Sequence, residues 1–204
     1  MLDRWTLPLM RKPLHMGASF LYRHGVKADQ VTLAGFIIGI FSLPALALHW
    51  YGATLVCIVV NRLADGLDGE LARLVGPSDA GGFLDIVLDF IFYSSVVFGF
   101  ALAEPDNNSL AAAALLFSFV GTGASFLSFA IMAERCGIEK TGYPGKGFFY
   151  LGGLAEGTET FLVLILFCLF PRSFSLLAYS FALVCQVTVL TRVAGGYFLL
   201  RQEG

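Results

Sequence analysis

Six apolar windows of helix length dominate the chain, at residues 31–50, 54–74, 83–102, 110–133, 151–170 and 174–200. A helix that crosses the hydrocarbon of a bilayer needs about 20 predominantly apolar residues, and strands are shorter than these windows. Only 14% of the 204 residues are charged, against about 25% in a soluble domain. The windows leave no room for a separate soluble domain. The chain therefore reads as an all-α polytopic membrane protein of one domain, residues 1–204, in which an arm (1–29) precedes a six-helix bundle (31–200).

Short connections at 51–53, 104–109 and 171–173 alternate with those at 75–82 and 134–150, so each set lies on one side of the membrane. Of the 13 Lys and Arg residues, only Arg172 falls on the first side. The others (Arg4, Arg11, Lys12, Arg23, Lys27, Arg62, Arg73, Arg135, Lys140, Lys146, Arg192 and Arg201) lie on or near the second, with Arg62 and Arg192 inside span ends. Lys and Arg near span ends mark the cytoplasmic side. Both termini and the second set of connections are expected there.

In the arm, Trp5, Leu9, Met16 and Phe20 mix with basic residues, a composition that suits an amphipathic helix lying in the membrane interface against lipid headgroups. Pro13 interrupts the pattern and predicts two short helical pieces. The arm lacks the uninterrupted apolar stretch and small-residue cleavage site of a removable signal peptide. No internal repeat is visible, which argues against a repeat-built transporter. A net charge of −2 offers no field to gather nucleic acid. Cys57, Cys136, Cys168 and Cys185 form no C-x-x-C pair and read as small core residues.

Against this apolar background stand four aspartates. Asp65 and Asp68 are three apart near the end of the second window, and Asp85 and Asp89 four apart at the start of the third. Each pair lies on one face of its helix. The connection is short enough to make the two helices antiparallel neighbours, so the four carboxylates are expected to face one space. Carboxylates at the hydrocarbon edge are costly and repel one another, so a cation must balance them. Oxygen-only ligands suit Mg2+ or Mn2+ better than zinc. Four carboxylates have room for two ions about 4 Å apart, the arrangement that clamps a phosphoryl group under attack.

The neighbouring residues fit a nucleotide better than bare ions. Gly66, Gly69 and Ala72 remove side chains from the helix that carries Asp65 and Asp68, which lets a bulky diphosphate approach the backbone. Arg73 follows, and a guanidinium binds phosphate through two parallel hydrogen bonds.

The run Asp65-x2-Asp68-Gly69-x2-Ala72-Arg73, then Gly81-x3-Asp85-x3-Asp89, resembles the signature of the CDP-alcohol phosphotransferases, membrane enzymes that make phospholipid headgroup bonds. Seven residues separate Arg73 from Gly81, where the family usually has one more. The segment 26–32, with Asp29 and Thr32, resembles the family's entry to the first span, with Ala28 in place of Pro. The resemblance implies that Asp65, Asp68 and Asp85 bind metal, that Asp89 borders the metals and accepts the acceptor hydroxyl's proton, and that Gly69, Arg73, Asp29 and Ser78 contact the CDP portion. It also implies a homodimer. The implied reaction is attack by an alcohol oxygen on the substituted phosphorus, with CMP leaving.

CDP-diacylglycerol is the expected donor and a polar alcohol the expected acceptor. An alternative within the class passes a soluble CDP-alcohol's group to diacylglycerol. From another class, a cation carrier could use the four aspartates, but Gly69, Ala72 and Arg73 have no purpose in one, and Arg73 opposes cation entry. Arg135 and Lys146, in the longest cytoplasmic connection, either steer a phosphorylated acceptor or are ordinary loop cations. Glu156 and Glu159 either line the acceptor entrance or are anions at a helix N-terminus. Gly35 and Gly39 read as a helix contact; His15, His24 and His49 are isolated and read as interfacial.

Overall fold

The structure, a computed structural model, describes residues 3–137 and 153–203. Lys140, Lys146 and the start of the fifth window lie outside them. Eight α-helices follow one another among the described residues: α1 (Asp3–Arg23), α2 (Ala28–Ile40), α3 (Ser42–Ala47), α4 (Tyr51–Val75), α5 (Asp79–Ala103), α6 (Pro105–Arg135), α7 (Gly157–Leu169) and α8 (Phe174–Glu203), with a 3-10 turn at Pro171–Ser173. Among the described residues, four segments are long and apolar enough to cross a membrane: Ala28–Ala47, Asp79–Ala103, Pro105–Arg135 and Pro171–Arg201. α7 is a shorter apolar helix, and α4 matches the others in length but carries Arg62, Asp65, Asp68, Glu70 and Arg73 in its second half. Only 28–33% of each candidate spanning window is buried. Ile37, Phe98, Phe117, Leu183 and Leu190 instead face outward, as expected of an integral membrane protein whose solvent is lipid.

Several boundaries differ from the sequence reading. α1 runs unbroken through Pro13, because packing against α4 outweighs the hydrogen bond that proline removes: Leu14 seats over Gly66, and Leu67 over Gly17. The first window is two helices. Pro44 has no N–H and its ring crowds the carbonyl of residue 40, so α2 stops at Ile40 and α3 restarts with Pro44 in its first turn. The chain then reverses at His49, φ 59°, with the Trp50 N–H donating to the Ala45 carbonyl at 2.7 Å. Residues 51–53 therefore open α4, and residues 79–82 open α5.

The positions of α4 and α5 define the site. They do not pack side by side as neighbours; α2 packs along both, and the two make little direct contact with each other. Two glycines let α2 approach this closely: a Cβ on Gly35 would stand 2.5 Å from the Ala64 Cβ, and one on Gly39 2.8 Å from the Phe92 ring. The expected helix contact at Gly35 and Gly39 is present. At the far end of the bundle the core closes on aromatics. Phe174 stacks on Phe100 at 4.6 Å and meets Phe167 edge-on at 4.8 Å, tying α5, α7 and α8 together. Asn108 Nδ2 donates to the Phe100 carbonyl at 2.9 Å beside them. One end of α4 and α5 is thus locked, while the aspartate end is spaced apart.

Candidate active site

The gap between α4 and α5 collects the signature carboxylates. Asp65 and Asp68 from α4 and Asp85 from α5 each bring an oxygen within 4.8 Å of the others. Asp68 is buried and its Oδ2 has no hydrogen-bond partner. Asn61, one turn before Asp65 on α4, donates from Nδ2 to the Gly35 carbonyl at 3.2 Å, while its buried Oδ1 also lacks a partner. These residues, with Thr32 and Asp89, line a small cavity of about 10 Å³, roughly the space of one water. An all-oxygen cluster with buried, unsatisfied acceptors fits a hard divalent cation.

Asp89 is held differently. It lies one turn beyond Asp85 on α5, where Arg62 Nη2 contacts its Oδ1 at 3.1 Å and Tyr93 Oη donates to its Oδ2 at 3.2 Å. Arg62 also touches the Tyr93 hydroxyl and pairs with Asp65 at 2.5 Å. The fourth signature carboxylate thus lines the same small cavity as the triad, as expected, but with both oxygens engaged by Arg62 and Tyr93 it is not among the three that converge within 4.8 Å.

The nucleotide residues implied by the resemblance fall into two pairs, Asp29 with Ser78 and Gly69 with Arg73. Ser78 caps α5, its hydroxyl accepting from the Gly81 N–H at 3.0 Å. A Cβ on Gly81 would stand 3.0 Å from both Asp29 Oδ1 and Ser78 Oγ, so α2 and the start of α5 bring Asp29 and Ser78 together only because residue 81 has no side chain. The Arg73 guanidinium lies over Gly69, within 3.7 Å of where its Cβ would be, and donates to Glu70 Oε1 at 2.8 Å. Gly66 has another purpose. It faces Leu14, 2.9 Å from the position of a Cβ, and so seats α1 rather than opening the backbone to a ligand.

On the opposite side of Asp85 and Asp89 a cavity of about 270 Å³ is lined by Tyr93, Thr122, Glu156, Thr160 and Arg192. Arg192, on α8, is buried and donates to the Thr122 carbonyl at 3.3 Å. Glu156 stands at the N-cap of α7, accepts the Gly153 N–H at 3.0 Å and also lines this cavity. Arg135 is exposed at the end of α6 and does not line this cavity; Lys146 lies outside the described residues. His15 Nδ1 stands 3.6 Å from Glu70 Oε2, so it is not isolated.

Sequence reasoning missed Asn61, Arg62, Tyr93 and Arg192 as site residues. For Arg62 a signal existed. An arginine inside an apolar window requires a carboxylate, and Asp65 stands three residues on, on the same helical face. Arg192 gave the same signal, but no carboxylate stands three or four residues from it in the sequence, and its contacts at Thr122 and Gly153 come from α6 and the entry to α7.

Comparison with known proteins supplies the family and the fold. The chain is 53% identical over 201 residues to the Escherichia coli inner membrane protein YnjF, covering 98% of each. It is 27% identical over 191 residues to the archaetidylinositol phosphate synthase of Pyrococcus horikoshii, covering 91% of this chain and 92% of that one. The fold matches Mycobacterium tuberculosis phosphatidylinositol phosphate synthase PgsA1, solved in complex with manganese and citrate, with a TM-score of 0.71 at 22% identity over 90% of this chain and 88% of that one. The pattern of the CDP-alcohol phosphatidyltransferases matches residues 26–193, from the approach to α2 to the last third of α8, and the chain belongs to that family.

Proposed function

We propose that this protein transfers the phosphatidyl group of CDP-diacylglycerol to a phosphorylated polyol, releasing CMP. The observation that carries the reading is the placing of groups along α4 and α5: the Asp65, Asp68 and Asp85 triad, Asp29 and Ser78 meeting over Gly81, and Asp89 opening on the cavity that holds Arg192. Asp65, Asp68 and Asp85 would hold Mg2+ or Mn2+, whose chemistry when bound is to neutralise the diphosphate and ease departure of CMP. Asp29, Ser78, Gly69 and Arg73 hold the CDP portion. Asp89 receives the proton of the acceptor hydroxyl as its oxygen bonds to the lipid-bearing phosphorus and the bond to CMP breaks.

The polyol phosphate is supported by the buried Arg192 in the acceptor cavity, where a guanidinium suits phosphate, and by the named activity of the Pyrococcus relative. The reading includes one membrane domain of six crossings, with α2 and α3 forming the first and α7 the fifth. The termini and the site are cytoplasmic, α1 is interfacial, and the family resemblance makes the assembly a homodimer. The charge distribution supports the orientation.

The test is CMP release from CDP-diacylglycerol with inositol phosphate, glycerol phosphate, free inositol and serine as acceptors. Phosphorylated polyols should turn over, and Arg192→Gln should raise their KM at least about tenfold, the loss of one charge-assisted contact. Equal use of free inositol or serine would overturn the acceptor assignment.

A further inference from the structure

Arg62 has no place in the reaction just described, yet it makes the closest polar contacts in the site. Its side chain is 12% exposed, with Nη2 at 2.5 Å from Asp65 Oδ1 and 3.1 Å from Asp89 Oδ1. Its Cζ stands 5.4 Å from the centre of the Tyr93 ring, whose hydroxyl it also touches. A guanidinium within an apolar segment is stable only while carboxylates surround it.

The two aspartates it binds are not equivalent. Asp65 meets Arg62 through Oδ1 at 2.5 Å and is also one of the triad with Asp68 and Asp85, where one of its two oxygens suffices, so an ion can share Asp65 with Arg62 while Arg62 keeps Asp89. Asp89 has both oxygens engaged, Oδ1 by Arg62 and Oδ2 by Arg62 and Tyr93. An ion that uses Asp89 must first displace a guanidinium.

We propose that Arg62 is a resident counter-cation that orders metal loading, leaving the Asp65, Asp68 and Asp85 triad open to a first ion and making a second ion compete with it for Asp89. This rests on the metal-centre reading above. Arg62 is then a positioning residue. It holds Asp89 between the triad and the acceptor cavity when metal is scarce and gives it up only when the centre fills. The two sites are therefore unequal, the second weaker by about tenfold or more, the scale of a lost charge-assisted hydrogen bond.

The experiment is titration of the full-length, detergent-solubilised protein with Mn2+ alone, reading free Mn2+ by electron paramagnetic resonance. Wild type should show a tight and a weak class. Arg62→Gln should tighten the weak class about tenfold or more and move the tight class less. Arg62→Lys keeps the charge but loses the two-pronged grip, and should tighten the weak class by a smaller factor; it decides the matter if Arg62→Gln does not fold. Arg192→Gln removes the same charge across the cavity and should leave the weak class near its wild-type position. A second class invisible in wild type but present in Arg62→Gln supports the proposal equally. Two equal classes in wild type would overturn it, as would Arg62 variants with an unmoved weak class or an Arg192→Gln shift as large as that of Arg62→Gln. Absence of any Mn2+ binding would instead overturn the metal centre itself.

Discussion

Under the proposed function two requirements meet on Asp89: it must accept a proton from the acceptor hydroxyl, and it must stand next to the triad that would hold the metal. Its place one turn beyond Asp85, with Tyr93 and the larger cavity on its far side, meets both. Asp89→Asn keeps its size and one carbonyl oxygen but cannot take the proton. It should lower kcat by about 100- to 10,000-fold, the range for losing a positioned general base, while metal-dependent binding of CDP-diacylglycerol persists. Near-normal turnover by this variant in a metal-replete assay would shift the role to Asp85. The aspartates were legible in the sequence because spacings of three and four are directly readable on a helix. Asn61, Tyr93 and Arg192 were not. Each owes its position to a partner far along the chain, such as the Gly35 carbonyl for Asn61 and the Thr122 carbonyl for Arg192.

At the scale of elements, periodicity and length located all the apolar helices but not their breaks. Pro13 and Pro44 carry the same local penalty, yet α1 continues through the first and the chain divides before the second. The difference lies in tertiary contacts. α1 has a seat on α4 at Gly17 and Gly66, whereas α3 turns to pack Leu46 against Gly99 of α5. α6 is the clearest test of the orientation. It runs for 31 residues from Pro105 to Arg135, about 46 Å at 1.5 Å per residue, enough to cross a bilayer. In a background with Cys57, Cys136, Cys168 and Cys185 replaced, single cysteines at Asn107 and Glu134 should react with an impermeant thiol reagent from opposite sides, Glu134 from the cytoplasm. Labelling of both from one side would defeat the six-crossing arrangement.

Across the whole molecule, the aromatic cluster of Phe100, Phe167 and Phe174 closes one end of the bundle, and α2, wedged against α4 and α5, keeps the other end spaced. That division explains how a chain with so few charged residues holds four aspartates within an apolar bundle: the fold keeps a gap in which they gather, and under the proposed function that gap takes the cation and the nucleotide. The gap was not legible in the sequence, since a short connection between α4 and α5 suggests direct packing, and only the close approach of α2 through Gly35 and Gly39 shows why they stand apart. The central claim is that this gap is a metal-dependent transfer site, and its most direct measurement is CMP release from CDP-diacylglycerol and a phosphorylated polyol by purified protein stripped with a chelator. Turnover should vanish on stripping and return on adding Mn2+ or Mg2+. Asp68→Asn, with a neutral amide in place of a hard anionic ligand, should stay at least about 100-fold below wild type at saturating metal, the scale of losing one electrostatic contact made at the reacting centre. Full turnover after exhaustive chelation, or an Asp68→Asn variant as active as wild type, would contradict the account.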